Sequence, residues 1–330
     1  MKPTSSTRSP SLAASWTGLL VLILLLAGLS GELLADYKNA ISLYKRQKYR
    51  EAIKEVQPDV SRNPDWEFGH RLAGLCYFGL KEYPAAIRAF EKAVELKSTE
   101  PSVYLGLAES QLQSGKPADA LATLEKGKEF FTKQKDLYNR DRLEANIRYR
   151  RNDFNGTIDK LLGAFQHFPG TARDWLLLGI CYYRTDQVMK ARQALTTAQK
   201  YDPSLGTAQD YLNRLQLKEG ELALKSRNYD IARSTFEAYL QQHPGDGAAK
   251  LNLALAMIGQ KDWSRAEELL GGLEGQYANS YRYNFYRGYA LEKLGKFEAA
   301  EGYYRKAIKI ENTGDAQEAL QRLLPRLKKK

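Results

Sequence analysis

The chain contains few of the residues that build disulfide frameworks and metal centres. Its 330 residues include 2 Cys and 3 His. Two cysteines cannot staple a domain of this length, and three histidines far apart in the sequence give no basis for a histidine metal centre. We therefore expect no metal site. Cys76 and Cys181 are predicted to be buried and reduced, because a buried cysteine behaves as a small apolar residue.

Common catalytic motifs are also absent from the sequence. It has no Walker loop, no G-x-S-x-G, no H-E-x-x-H and no C-x-x-C. Each of these motifs holds a nucleophile, metal ligands or phosphate-binding amides at a fixed spacing. No pair of carboxylates stands out from ordinary solvated helix faces. The sequence therefore predicts a protein that is not an enzyme and that uses no cofactor.

The composition is that of a folded chain with a basic charge balance. Hydrophobic residues make up 43% and charged residues 27%, and no Gly/Ser-rich linker interrupts the sequence. Lys and Arg number 50 against 39 Asp and Glu, which gives a net charge of +11. A basic chain with many tyrosines is compatible with a nucleic-acid-binding or polyanion-binding protein, which we keep as an alternative.

The N-terminal segment has the character of a targeting or anchoring signal. Residues 18–29 form an apolar run, within a longer uncharged stretch between Arg8 and Glu32. A basic start followed by about 7–15 apolar residues is typical of a secretory signal, and about 20 apolar residues can span a bilayer. We expect residues 1–35 to be a signal peptide or an N-terminal membrane anchor that crosses the inner membrane by residues 12–31 if uncleaved. The basic residues before it favour export of the rest, into the periplasm or cell envelope.

The rest of the chain repeats itself with a period of about 34 residues. An aromatic residue followed three positions later by Ala recurs at Tyr49/Ala52, Tyr83/Ala86, Tyr229/Ala232, Trp263/Ala266 and Phe297/Ala300. Three further matches with one changed position complete eight repeats, which begin near residues 33, 67, 101, 138, 172, 213, 247 and 281. Self-similarity at this period is typical of helical solenoids.

Positions outside that step support the same register. Twelve residues before the marker Ala, all eight repeats have Gly or Ala, and four residues after it all eight have a large apolar residue. Several repeats end in Pro, which cannot continue a helix. Each repeat is therefore predicted to be a pair of helices that approach closely at the small residues. One such pair cannot bury its apolar face alone, so neighbouring pairs must stack.

The fifth repeat shows the complete pattern, at Trp175, Leu178, Gly179, Tyr182, Ala191, Leu195, Ala198 and Pro203. This spacing resembles the tetratricopeptide repeat, and the resemblance extends over about residues 33–314. It implies an all-α fold: a right-handed α-solenoid of about eight helix-turn-helix units with a C-terminal capping helix. The exported character indicates a bacterial type of tetratricopeptide repeat protein.

Two segments outside the repeats resemble each other. Residues 206–215 and 314–323 share Gly, Ala, Gln, Leu, Arg and Leu at matching positions. Because terminal repeats need a cap with a polar outer face, the second segment is predicted to cap the C-terminus. The first is then an older cap, retained where two arrays were joined. This places a boundary near residue 212, between a first array at 36–212 and a second at 213–330.

The resemblance also implies a binding groove. In the family, the second, fifth, ninth, twelfth and thirteenth positions of the first helices point into a concave surface. In repeats one and two these positions hold Tyr37, Ile41, Tyr44, Lys45, Phe68, Arg71, Leu75 and Phe78. In repeats four to six the expected partner-binding residues are Arg142, Asn146, Tyr149, Arg150, Arg173, Ile180, Tyr183, Arg184 and Arg214. The apolar members of both sets have an alternative role, which is packing between adjacent first helices.

Some members of the family clamp a C-terminal carboxylate with basic and Asn side chains from three successive repeats. Arg142 and Asn146 match the first pair of such a clamp in kind, and Arg214 and Lys218 match the last pair. Leu177 stands where the middle Asn belongs, so the match is partial.

The expected function is that of a non-enzymatic scaffold or adaptor in the cell envelope. It would bind partner proteins or peptide segments in its concave groove, and the arginines predict a partner that is acidic with apolar residues. The nucleic-acid alternative is disfavoured by the export signal. It is also disfavoured by Asp136, Asp141 and Glu144, which alternate with the arginines.

Overall fold

The computed structural model describes residues 31–328, and no strand occurs among them. The apolar run at residues 18–29, which carries the expected export signal, lies outside the described residues. The helices are α1 (Gly31–Lys45), α2 (Tyr49–Arg62), α3 (Glu67–Gly79), α4 (Tyr83–Glu95), α5 (Pro101–Gln113), α6 (Pro117–Lys126), α7 (Gln134–Arg150), α8 (Phe154–Phe165), α9 (Ala172–Arg184), α10 (Val188–Tyr201), α11 (Gly206–Lys225), α12 (Tyr229–Gln242), α13 (Gly247–Gly259), α14 (Trp263–Gly271), α15 (Glu274–Tyr277), α16 (Tyr281–Lys293), α17 (Phe297–Ile310) and α18 (Gly314–Leu327).

The helices follow the predicted repeat, with a first and a second helix in each. The second helix of a repeat begins at the aromatic residue of the marker step, as in Tyr49, Tyr83, Tyr229 and Phe297. From α1 to α8 and from α10 to α14, each helix packs on the next one in the chain. First helices also contact the first helices of adjacent repeats, as α5 does with α3 and α7. The predicted all-α class and its repeated helix pairs are confirmed.

The turn between the two helices has the same geometry in every repeat. The fifteenth residue has a positive φ, between 56° and 77°. The N–H of the residue after it donates to the carbonyl five residues earlier, for example Glu82 to Tyr77 at 2.9 Å. This is the helix C-terminal motif that satisfies otherwise unpaired carbonyls. Only two of the eight positions are Gly; they are Gln47, Lys81, Gly115, Asn152, Asp186, Arg227, Lys261 and Gly295.

Small residues on the first helices make room for large rings from the second helices. The Phe90 ring is fully buried, and a Cβ placed at Gly74 or at Gly106 would lie 2.7 Å or 2.5 Å from it. In a later repeat the equivalent Phe236 lies equally close to Gly220, at 2.6 Å. The predicted alternation of small and large positions is therefore the contact that joins the two helices of a repeat.

The described chain divides into two compact bodies after Asp174. We call them the N-terminal body, up to Asp174, and the C-terminal body, from Trp175. The sequence predicts a junction of two repeat arrays near residue 212, after a cap-like helical segment, and that junction stays a prediction. That segment is the first part of α11, a single helix of 20 residues. Residues 207–219 contain neither Gly nor Pro, so nothing in them ends the helix.

Both ends of the described chain are helical. The predicted C-terminal cap is present as α18, which packs on α16 and α17. At the other end the first described residue, Gly31, already belongs to α1, so residues 31–35 of the segment expected to precede the fold are helical. Among residues 31–328, none of the helices combines the length and the apolar character that a membrane span requires.

The structure buries both cysteines, as predicted. Burial raises the pKa of the Cys76 thiol to about 12. The thiolate is the reactive form of cysteine, so Cys76 is an inert core residue at neutral pH.

Candidate partner-binding groove

The N-terminal body contains a cavity of about 450 Å³ on the side formed by its first helices. Its apolar lining consists of Tyr44, Tyr49, Leu75, Phe78, Gly79, Leu105, Gly106, Leu112 and Leu143. Its polar lining consists of Ser102, Glu109, Gln113, Asn139, Arg142, Asn146 and Arg150. A volume of this size lies within the range of about 300–1,000 Å³ that ligand sites occupy.

The repeat explains why these residues meet. Leu105, Glu109 and Leu112 occupy the fifth, ninth and twelfth positions of the third repeat. Ten of the other thirteen lining residues also occupy one of the five groove positions of their own repeats, and the exceptions are Tyr49, Gly106 and Leu143. Residues three and four apart share one helix face. Stacked first helices therefore present these faces side by side, and repeats one to four contribute to the same wall.

One edge of the cavity is aromatic and aliphatic. The rings of Tyr44 and Tyr49 pack with their centroids 5.8 Å apart, and the rings of Phe78 and Tyr83 with theirs 6.2 Å apart. Burial, followed by the neighbouring Tyr49, raises the pKa of Tyr44 above its ordinary value. Tyr44 is therefore neutral at physiological pH, and this edge suits an apolar side chain.

The opposite edge is a polar stripe along α7. Asn139, Arg142, Asn146 and Arg150 follow one another at intervals of three or four residues and share one face of the helix. At a rise of about 1.5 Å per residue the stripe is roughly 16 Å long. The cavity is therefore apolar where α1 and α3 line it and polar where α7 lines it.

Arg142 is partly neutralised within the N-terminal body. Its guanidinium lies over the Tyr138 ring, 5.8 Å from the centroid, and its Nη1 is 3.9 Å from Oδ1 of Asp174. Asp174 is buried and also accepts hydrogen bonds from the Tyr138 hydroxyl at 2.7 Å and the Thr171 hydroxyl at 2.6 Å. Burial, and then the hydrogen bond to Asp174, raise the pKa of Tyr138. Arg142 is thus held in place by its neighbours and keeps about a quarter of its side chain exposed.

Arg150 connects α7 to the end of α5. Its Nη1 donates to the Leu112 main-chain oxygen at 3.0 Å and its Nη2 to Oε1 of Gln113 at 3.1 Å. Gln113 in turn donates to Glu109 at 2.6 Å. A cation at a helix C-terminus interacts favourably with the last carbonyls. Arg150 therefore closes the cavity wall and also presents positive charge to it.

Asn139 and Asn146 are the two carboxamides of the stripe. Nδ2 of Asn146 donates to the Arg142 main-chain oxygen at 2.9 Å. Asn139 is 7% exposed, and its Nδ2 is buried with no hydrogen-bond partner among the described residues. The cavity wall therefore holds one satisfied amide and one unsatisfied amide donor.

The structure brings together only part of the predicted groove. Arg142, Asn146 and Arg150 line the cavity. Tyr149 is half-buried and packs against the Phe154 ring, with centroids 6.0 Å apart, and does not line it. Arg173 is exposed near the end of the N-terminal body and is not among the lining residues.

The other predicted residues belong to the C-terminal body. Ile180 is buried, which fits the packing alternative, and Arg184 is exposed. The Tyr183 ring meets the Tyr211 ring edge to face at 5.3 Å, and Arg214 lies 5.3 Å from the Tyr211 centroid. Tyr183, Tyr211 and Arg214 form an aromatic and cationic cluster of their own. A single groove running from repeat four to repeat six stays a prediction.

Sequence reasoning missed the third repeat and the start of the fourth. Ser102, Leu105, Glu109 and Gln113 line the cavity, as does Asn139. They occupy the groove positions of their repeats, so the register already pointed to them. They were overlooked because selecting arginines and tyrosines favoured repeats rich in those residues.

Comparison with known proteins gives consistent matches. Sequence models described as "Tetratricopeptide repeat" match residues 37–101, 77–140, 223–284 and 281–314, which together make up more than half of the chain.

Three relatives match between 28% and 70% of this chain. Protein CTR9 homolog of Arabidopsis thaliana is 26% identical over 238 residues, which are 70% of this chain and 21% of the relative. Hsp70-Hsp90 organizing protein of Triticum aestivum is 27% identical over 106 residues, 29% of this chain and 18% of the relative. Beta-barrel assembly-enhancing protease of Yersinia pestis is 31% identical over 93 residues, 28% of this chain and 19% of the relative. The chain spans about a fifth of the length of each of these relatives.

Proposed function

Because the chain belongs to the tetratricopeptide repeat family, we propose that it is a non-enzymatic scaffold that binds an extended segment of a partner protein in the cavity of the N-terminal body. The observation that carries this proposal is the division of the cavity into an apolar edge and a polar edge with two arginines. A name such as Hsp70-Hsp90 organizing protein, borne by one relative, is consistent with a scaffolding role. The name of another relative includes a protease, but the shared stretch is 19% of that protein and overlaps the repeat fold.

The preferred partner segment carries an acidic residue and an apolar residue. An acidic side chain would face Arg142 and Arg150, and an apolar one would lie against Tyr44, Leu75 and Phe78. Exposed ion pairs contribute only about 0–1 kcal/mol each, so charge alone would bind weakly. Buried apolar area, at about 25 cal/mol per Å², must supply the rest. Binding should therefore weaken as salt rises, because salt screens exposed charges, without vanishing.

The cavity fits a nucleic-acid strand less well. Glu109 lies in its lining, and Asp174 stands 3.9 Å from Arg142. Carboxylates at these points would repel successive phosphates, and phosphate contacts supply most of the non-specific affinity for nucleic acid. A protein segment can place a single carboxylate between Arg142 and Arg150, away from the carboxylates of Glu109 and Asp174.

The site is tested by removing its two positive charges. The variant Arg142→Gln with Arg150→Gln is compared with Arg50→Gln plus Arg88→Gln, which loses the same charge from exposed residues on the second helices α2 and α4 of the same body. Partner proteins captured by the wild-type chain should bind the first variant about 10-fold more weakly and the control unchanged. Circular dichroism melting of both variants checks that they fold. Equal binding by the two variants would move the site away from the cavity.

We place the protein in the cell envelope, with the chain beyond residue 35 outside the cytoplasm. The support is the basic start, the apolar run at residues 18–29 and the lack of charge between Arg8 and Glu32. A reporter that is active only outside the cytoplasm, fused after Lys330, should be active. Activity of a cytoplasm-only reporter at the same point would refute this topology, and N-terminal sequencing of the mature protein decides between a cleaved signal and an anchor.

A further inference from the structure

The unsatisfied amide of Asn139 is the least expected feature of the cavity. The side chain is more than nine-tenths buried, lines the cavity, and its Nδ2 has no hydrogen-bond partner among the described residues. Buried polar groups in folded proteins are almost always paired, since an unmade hydrogen bond costs the full price of desolvation. A leucine of similar size would avoid that penalty. An amide at this point therefore suggests that its hydrogen-bond acceptor belongs to a bound ligand.

The neighbours of Asn139 on α7 already have internal partners. Asn146 donates to the Arg142 main chain, Arg142 faces Asp174, and Arg150 donates to the end of α5. The internal bond of Asn146 uses its Nδ2, so its Oδ1 is the group it can offer to a ligand. One face of α7 thus holds a buried, unpartnered amide donor at Asn139 and, two turns later, an amide acceptor at Asn146.

We infer that Asn139 donates a hydrogen bond to a main-chain carbonyl oxygen of the bound segment, and that this bond sets the register of the segment in the cavity. This inference rests on the proposed function of the cavity. Nδ2 is itself buried, so it must rotate about the Cβ–Cγ bond to reach the segment, and this torsion is broad for Asn. Asn146 Oδ1 then accepts a main-chain N–H further along the same segment.

We assign a main-chain carbonyl as the acceptor because Arg142 and Arg150 are the proposed partners of the acidic side chains of the segment. A carboxylate gains most from a charged donor, and Arg142 and Arg150 offer two. A neutral carboxamide instead matches the neutral donor and acceptor of a peptide group. The consequence is selection by backbone conformation. An extended segment has free carbonyls, whereas the interior carbonyls of a helix are bonded within the helix.

The probe is a synthetic array of linear 12-residue peptides that each contain Asp or Glu and Leu or Phe. The full-length chain is applied to the array, and the tightest peptide is remade with each main-chain carbonyl in turn reduced to a methylene. Affinities are measured for the wild type, Asn139→Leu, the isosteric Asn139→Asp and the control Asn252→Leu. Asn252 is an equally buried Asn of the C-terminal body whose Oδ1 also has no partner among the described residues.

For the wild type, one reduced carbonyl should lower affinity about 10-fold, the usual range for one buried hydrogen bond. In Asn139→Leu the parent peptide should bind about 10-fold more weakly, and reducing the same carbonyl should have little further effect, because the two changes remove one shared contact. The melting temperature of the unbound Asn139→Leu protein should rise by a few degrees. Asn252→Leu should bind the parent peptide with unchanged affinity.

Three results would overturn the inference. Additive effects of Asn139→Leu and of every reduced carbonyl would show that they share no contact. Coupling of Asn139 to the Asp or Glu side chain of the peptide would assign it to carboxylate binding. A fall in melting temperature for both Asn139 variants, with unchanged affinity, would make Asn139 a structural residue. If instead no peptide binds, or binding ignores Arg142→Gln with Arg150→Gln, the proposed function itself fails, and the inference with it.

Discussion

Two buried polar side chains, one in each body of the protein, have opposite surroundings. In the C-terminal body Glu292 is 3% exposed, and in the N-terminal body Asn139 is 7% exposed. Glu292 accepts hydrogen bonds from the Tyr304 hydroxyl at 2.9 Å and from Nη2 of Arg322 at 3.0 Å, and Nη1 of Arg326 lies 3.8 Å away. Nδ2 of Asn139 has no such partner among the described residues.

The difference matches a structural role for Glu292 and the binding role proposed for Asn139. Arg322 and Arg326 belong to α18, so the buried carboxylate of Glu292 fastens the C-terminal helix to α16. Burial alone would raise the pKa of Glu292, but hydrogen bonds from Arg322 and Tyr304 outweigh it and lower the pKa below 4.5. A buried charge is tolerated when its partners are complete. The incomplete polar group stands in the wall of the cavity, where an incoming segment can complete it.

Truncation of a core ring should lower the free energy of unfolding by a similar amount in the two bodies. This is the largest effect that we predict. Phe90→Ala and Phe236→Ala each remove a fully buried ring that fills the space beside a glycine. Such truncations cost about 3–5 kcal/mol of unfolding free energy. Urea denaturation gives the total loss, and hydrogen exchange read by mass spectrometry locates it.

Each truncation should lower amide protection mainly in its own body, since the chain divides after Asp174. Phe90→Ala should affect residues before 174, and Phe236→Ala residues after it. Equal loss of protection throughout the chain after either change would show that the two bodies unfold as one unit and would remove the basis for comparing them.

Removal of a Glu292 partner should have a smaller effect, confined to α18. Arg322→Ala leaves the buried carboxylate with Arg326 at 3.8 Å. Breaking a buried pair costs about 3–5 kcal/mol, but half of the Arg322 side chain is exposed, so we expect about 1–2 kcal/mol. Faster hydrogen exchange in residues 314–327 checks it. Arg305→Ala, which breaks an exposed pair with Glu301 in the same body, should change little.

The same carboxylate predicts a dependence on pH. A group whose folded pKa lies below its unfolded value stabilises the fold above the unfolded pKa and loses that contribution as pH falls through the folded pKa. For Glu292 the contribution is complete above the ordinary value of 4.5 and declines below it. The difference in unfolding free energy between the wild type and Glu292→Gln should shrink between pH 6 and pH 3.5. A constant difference would mean that Glu292 is not charged in the fold.

The sequence alone was sufficient to predict the features that follow from the repeat. The period located the helix pairs, and the match between residues 206–215 and 314–323 located α18. The groove positions also selected Arg142, Asn146 and Arg150, which line the cavity; their binding of a partner stays a prediction. All these follow from one helical face repeated at constant spacing, which needs no knowledge of distant contacts.

Features that depend on contacts between helices were not predictable. The bond from Arg150 to the Leu112 carbonyl and the missing partner of Asn139 require the relative placement of α5 and α7. The continuity of α11 through residue 212 and the division after Asp174 also depend on such contacts, while the junction of two arrays near residue 212 stays a prediction. Sequence similarity between two segments records their origin, while the division into bodies depends on which helices pack together.

The smallest expected effects come from the shared turn and test whether the two bodies are built by the same local rule. At Lys81 and Lys261 the fifteenth residue has φ of 62° and 64°. A left-handed conformation costs an L-residue about 1–2 kcal/mol, which glycine avoids while losing about 0.5–1 kcal/mol through its more flexible unfolded chain. Lys81→Gly and Lys261→Gly should each stabilise the protein by about 0.5–1 kcal/mol.

The reverse change at the same turn position should have the opposite sign. Gly115→Ala and Gly295→Ala should each destabilise the protein by about 0.5–1 kcal/mol. A Cβ at either glycine would meet no atom within 4 Å, so packing contributes nothing to this difference. Urea midpoints at constant slope measure all four, and a different sign in the two bodies would show that tertiary contacts, not the backbone conformation, set the cost of the turn.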